Sequence, residues 1–195
     1  MSATGEITIH SDELVEETET ATIQIGLGNE SNVNNIASET VTFNIANLTD
    51  GDLVVGLSWA ASSTVTDNYG KEIGAYTLAD LRLLLTDSPY TTVYASADGA
   101  TAETYVLSAA APDGDYSFVA DFYAANYEIA SNLDLTLTFD QVGVINGQTH
   151  NFAAALSTLD VCADLNFVMA SVTKSGNSYS FAEVGTKSSF NASIF

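Results

Sequence analysis

Residues 133 to 139, LDLTLTF, alternate without a break: Leu133, Leu135, Leu137 and Phe139 share one face, and Asp134, Thr136 and Thr138 the other. Successive side chains point to opposite faces only in an extended strand. A helix would scatter these leucines around its circumference. The same period returns in TATIQIGL, which aligns Ile23, Ile25 and Leu27, and in ETVTFNI, which aligns Val41, Phe43 and Ile45. About eleven such segments follow one another, separated by turn signals every eight to twelve residues, the pattern of an antiparallel sheet protein.

The turns are legible as well. DG in TDGD, PDG at Pro112–Gly114, NG at Asn146–Gly147 and SGNS at residues 175 to 178 all sit between apolar runs. LRLLLTD is almost continuously apolar, as befits a strand covered on both faces. Only NFAAALSTL and YTLADL are expected to form a helical turn. The fold class is therefore all-β: a single elaborated, jelly-roll-like antiparallel β-sandwich over residues 20–195, preceded by an acidic leader at 1–19. Phe43, Trp59, Leu83, Leu85, Phe118, Phe122, Leu135 and Leu137 are expected in its core.

Charge narrows the function. With 25 Asp and Glu against four Lys and Arg, the net charge is −21, which repels phosphate backbones and excludes nucleic acid as a partner. Three uses of such acidity compete: a solvated surface in salty surroundings, cation binding, or a basic partner. Cys162 has no second cysteine to pair with, and its apolar setting in LDVCADLNFVMA suggests a buried, inert thiol. No run approaches the ~20 apolar residues that span a bilayer, so membrane insertion is not expected. The opening residues have neither a basic nor an apolar signal-peptide region. Together with the abundance of Thr, Ser, Asn and Tyr, this suggests a mature exported segment, at the cell surface or outside the cell, rather than a cytoplasmic chain.

The segment from about Glu39 to Gln141 carries ETVTFNI, ADLRLLLTD, YASADGATAETYVLSA, APDGDYSFVADFY and LDLTLTF in that order. Taken together these resemble the bacterial pre-peptidase C-terminal domain, a calcium-associated β-sandwich appended to exported proteases and other secreted enzymes. The resemblance rests on Asp80 before an apolar strand and on the Pro-x-Gly-x-Tyr turn formed by Pro112, Gly114 and Tyr116. The loop from Ala61 to Ala79 is longer than that family needs, and the last fifty or so residues have no counterpart in it.

The resemblance implies a Ca²⁺-associated module and makes Asp80 the leading ligand, with co-ligands from Asp67 and Asn68 or from Asp113 and Asp115. The residue types suit the ion, since Ca²⁺ takes six to eight oxygens from carboxylates and turn carbonyls. Asp50 with Asp52 is a further acidic pair, and such Asp-rich turns also arise simply because Asp bonds its own backbone. No nucleophile elbow, zinc-protease helix or phosphate loop is present, and the two histidines, His10 and His150, lie far apart in sequence. Tyr69, Tyr76, Tyr90, Tyr94 and Tyr127 are candidates for a sugar-stacking surface. The reading is a non-catalytic secreted or cell-surface module that binds a glycan or protein ligand. Its rivals are a filament, capsid or surface-layer subunit that oligomerises by strand addition through TATIQIGL or SFNASIF, and a glycan hydrolase.

Overall fold

The computed structural model describes Thr8, Glu19–Ile25, Glu39–Ile45 and residues 51–189 apart from 89, 91, 100, 126, 127 and 164. Nearly all of the acidic leader, Asp50, Pro89, Tyr127 and most of the SFNASIF segment lie outside the described residues. Within them the chain forms eleven strands: β1 (Glu19–Ile25), β2 (Glu39–Ile45), β3 (Leu53–Ala61), β4 (Ala79–Asp87), β5 (Val93–Ala97), β6 (Glu103–Leu107), β7 (Gly114–Ala125), β8 (Asn132–Gln141), β9 (Ile145–Ser157), β10 (Leu165–Ser175) and β11 (Ser178–Ser189). Helix is confined to α1 (Ala75–Leu78) and a 3₁₀ turn at Asp160–Ala163. No helix of the described residues is long and apolar enough to cross a membrane.

Two antiparallel sheets make the body. One runs β11-β10-β7-β4-β5 and the other β6-β3-β8-β9. The chain passes from sheet to sheet at β3–β4, β5–β6, β6–β7, β7–β8 and β9–β10, so the all-β sandwich expected from the alternation is the fold observed. Leu133, Leu135, Leu137 and Phe139 of β8 face Leu81, Leu83 and Leu85 of β4 and Phe118, Ala120 and Phe122 of β7 in one buried cluster. On the far side of the larger sheet, Leu84, Val119 and Val168 form a second, smaller cluster under Tyr90, Val93 and Val184. That outer layer explains why β4 is apolar on both faces.

Local chemistry closes the corners. The Tyr116 hydroxyl donates to the Pro112 carbonyl at 2.6 Å, so the Pro-x-Gly-x-Tyr run is a turn fastened by its own tyrosine. Gly114 at φ 152 supplies a backbone angle that side chains disfavour. The SGNS hairpin forms as expected, with Gly176 at φ 58 between paired Ser175 and Ser178. Lys174, almost wholly buried beside it, donates to the Gly176 carbonyl at 2.8 Å and to Asp113 Oδ1 at 3.3 Å.

Several expectations require correction. Phe43 is 46% exposed, because β1 and β2 pair with each other as a separate two-stranded sheet rather than joining the sandwich layers. Cys162 is exposed: the 3₁₀ turn carries it to the surface despite its apolar flanks. NFAAALS continues β9 instead of coiling, with Ala154 at φ 48 marking a kink. The β8–β9 turn falls around Gly143 (φ 72), not at Asn146–Gly147. Gly147 (φ 59) sits inside β9, where its N–H donates to Asp140 Oδ1 at 2.7 Å beside a register shift.

Candidate functional site

Where β3 ends, the chain enters the long segment from Ala61 to Ala79, and that segment is ordered by its own hydrogen bonds. Asp67 and Lys71 close a turn through Asp67 N to Lys71 O at 2.8 Å, Thr66 bridges Glu72, and Ile73 N donates to Val65 O at 2.8 Å. The Asp67 side chain braces the tip, accepting from the amides of Tyr69 (2.8 Å) and Lys71 (2.9 Å). Its base is held by Asp134, whose Oδ1 accepts from the Ser62 hydroxyl (2.6 Å) and the Ala154 amide (2.7 Å). Those bonds to Ala154 and Ser62 hold the Asp134 carboxyl below the usual aspartate range.

Between this segment and the end of β3 lies a cavity of about 230 Å³ lined by Trp59, Ser63, Thr64, Glu72, Ile73 and their neighbours. Trp59 is its rigid wall: the indole N–H donates to the Ala79 carbonyl at 3.0 Å, and the Tyr76 ring meets it edge-on at 4.8 Å. Tyr69 stands at the loop tip, 96% exposed. Trp59 itself is buried and backs the cavity, so the segment offers the exposed rings of Tyr76 and Tyr69, a carboxylate and hydroxyls. The cavity is below the ~300–1,000 Å³ of enclosed small-molecule sites, so it suits one edge or ring of a larger ligand.

The second acidic locus is Asp80. Its Oδ1 is buried and has no hydrogen-bond partner among the described residues. Register explains the setting. The β4–β5 pair aligns Leu83 with Ala97 at the end of the ladder, and counting on from there brings Arg82 towards Asp98 and Leu81, the neighbour of Asp80, towards Gly99 as the chain leaves β5. The β4–β7 ladder shifts register between Asp80 and Leu81, the kind of bulge that re-aims a side chain. After the crossover, Glu103 opens β6 opposite Leu57, on the inward face it shares with Tyr105 and Leu107. It is only 2% exposed; its Oε2 accepts from the Gly99 amide at 2.6 Å, and its Oε1 has no partner among the described residues. Burial chiefly, with repulsion from Asp98 and Asp80 and against the Gly99 hydrogen bond, pushes the Glu103 carboxyl up.

The other expected calcium ligands are dispersed. Asp113 and Asp115 lie at the opposite end of β7 from Ala124, the partner of Asp80, about 30 Å along the strand. One ion does not span that length, so Asp113 and Asp115 are not co-ligands of Asp80. Asp113 instead accepts from Gly176 N (2.8 Å) and Lys174, and Asp115 from the Thr173 hydroxyl (2.6 Å). Asp52 caps the Ala109 amide at 2.6 Å, and Asn68 is exposed beside the loop tip. Among the described residues, no three Asp, Glu, His or Cys side chains are drawn together tightly enough to hold a metal ion. His150 lies with its Nδ1 3.2 Å from Glu183 Oε2, joining β9 to β11 across the open side of the sandwich.

Glu103 escaped sequence reasoning, although a signal was present: it is an acid exactly in phase with Tyr105 and Leu107, at a position the alternation reserves for the core. In comparisons with known protein families, curated proteins and solved structures, nothing matches this chain.

Proposed function

We propose that this chain is a non-catalytic, exported or cell-surface β-sandwich module that binds glycan through the end of the sandwich formed by the 61–79 segment. The observation that carries this reading is Tyr76, 40% exposed and set edge-on against the buried Trp59 that backs the cavity of Ser63, Thr64 and Glu72, with Tyr69 96% exposed at the tip of the same segment. Rigid aromatic rings stack on the apolar faces of sugars, while hydroxyls and a carboxylate take the sugar hydroxyl groups. At a net −21 the ligand is a neutral or basic glycan, since an anionic one would be repelled. The resemblance of residues 39–141 to pre-peptidase C-terminal domains supports an accessory role beside an exported enzyme. A glycan array with the purified chain and with Tyr69→Ala tests this. Binding weakened by the substitution supports the reading, an array with no binding overturns it, and cleavage of a bound glycan would favour the hydrolase.

A second reading has its own support. The β1–β2 hairpin forms a sheet apart from the sandwich, leaving Phe43 exposed on a face with Ile23 and Val41. As β1 already has β2 on one side, addition of a neighbour's strand would use the other edge. Light scattering of the chain and of Phe43→Ser tests this: concentration-dependent oligomers lost in the variant support it, and a monomer throughout excludes it.

A further inference from the structure

We propose that the cavity backed by Trp59 selects an amino sugar, whose protonated amine is held by Glu72. The inference rests on the glycan reading above and narrows it from a neutral or basic ligand to a cationic one. Charge carries it. Among the described residues that line the cavity, Glu72 is the one charged side chain; Ser63 and Thr64 bring hydroxyls, and Trp59, Val65 and Ile73 bring apolar surface.

That carboxylate is uncompensated. Among the described residues its oxygens take part in no ion pair and accept no hydrogen bond. The chain has only four Lys and Arg, and three of them are committed elsewhere: Arg82 to Asp121, Lys174 to Asp113 and Lys187 to Asp160. The fourth, Lys71, adjoins Glu72 in sequence but does not line the cavity. The arm that carries Glu72 is held: its backbone bridges Thr66, and the next amide, Ile73 N, donates to Val65 O at 2.8 Å. A neutral sugar would give this carboxylate hydroxyl donors and leave its charge in place. An ammonium gives it a charge-assisted hydrogen bond, about twice as strong as a neutral one. The chemistry of the walls fits the rest of such a residue. The 40%-exposed Tyr76 ring takes the apolar face of the sugar, and Ser63 and Thr64 take its hydroxyls. At about 230 Å³ the cavity suits one ring, so a single residue of the glycan engages Glu72. The field of a −21 chain gathers cationic saccharides at the surface before they dock. N-acetylation removes the positive charge, so the free amine is the form selected.

The test is calorimetric titration of the full chain, at matched ionic strength, with glucosamine, N-acetylglucosamine and glucose oligomers of one linkage and length. Glu72→Gln and Asp115→Asn are titrated beside the parent; the second removes an equal charge at the far end of β7, away from Ala79 and the cavity. The parent should bind the glucosamine oligomer about tenfold more tightly than the other two. Glu72→Gln should bring that affinity down to the level of the uncharged oligomers, and Asp115→Asn should keep the preference. The comparison among oligomers needs no variant, so it stands even if a substitution disturbs the fold. Equal affinity for all three, a preference that survives Glu72→Gln, or one lost equally in Asp115→Asn would overturn the inference and leave the glycan reading standing. Binding of none of the three would overturn it as well, and a glycan array blank throughout would remove the glycan reading too.

Discussion

The indole N–H of Trp59 donates to the carbonyl of Ala79, the residue immediately before Asp80, at 3.0 Å. One bond thus ties the end of β3 in one sheet to the start of β4 in the other, and sets the aromatic cavity and the acidic corner on a common frame. Trp59→Phe keeps a ring but leaves that buried carbonyl short of a donor, and should cost about 1–3 kcal/mol in chemical denaturation. An unchanged midpoint would show that the bond contributes nothing to the frame.

Tyr116→Phe removes only the hydroxyl that fastens the Pro112 turn. The expected loss is about 1 kcal/mol, read as a shift in denaturation midpoint with unchanged slope. A loss several times larger would mean the ring has repacked.

Leu135→Asp and Phe43→Ser separate core from hairpin. Leu135 is buried at the centre of β8, and an aspartate there strands a charge in apolar packing, so the variant should not fold. Phe43 is exposed, and its replacement should change stability by less than about 0.5 kcal/mol. Circular dichroism and melting of both check the assignment; a strongly destabilised Phe43→Ser would place the hairpin against the body.

Glu103 makes stability depend on pH in a direction opposite to most carboxylates. Its folded pKa is raised by burial and by Asp98 and Asp80, so the folded state holds this proton more tightly than the unfolded chain. Its contribution is full below the ordinary glutamate range and is lost as pH rises through the raised value. Asp113 and Asp134 act with the other sign: bonds from Gly176 and Lys174, and from Ala154 and Ser62, lower their pKa values, and their contribution fades as pH falls through those lowered values. Melts across the acid range should therefore show the rising-pH loss flattened in Glu103→Gln. A parent profile that climbs steadily through that window, unaffected by the substitution, would contradict the assignment.

Much of the fold was legible because the alternation in residues 133–139 and the apolar run of β4 are local patterns that pleated strands read directly. Trp59, Leu83, Leu85, Phe118, Phe122, Leu135 and Leu137 are all buried as expected. Phe43 has the same local pattern and is exposed, since periodicity gives a strand two faces without saying what covers either. Asn146–Gly147 is a strong turn signal that lost to Gly143, which lets β8 and β9 begin pairing at Gln141 and Ile145. Asp80's place at the start of β4 is a local feature of the sequence. Its neighbours Asp98 and Glu103 come from a crossover between sheets, and proximity across sheets has no local signature.

Trp59 is the only tryptophan, so its emission reports on the proposed binding surface without interference from others. The most direct measurement is a fluorescence titration with a neutral oligosaccharide that scores on the array, on the parent and on Tyr76→Ala. The account predicts a saturable change in emission with the parent and a weaker response when the edge-on Tyr76 ring is removed. Binding that leaves Trp59 emission unchanged, or that is equally tight in Tyr76→Ala, would put the ligand elsewhere on the protein and contradict the account.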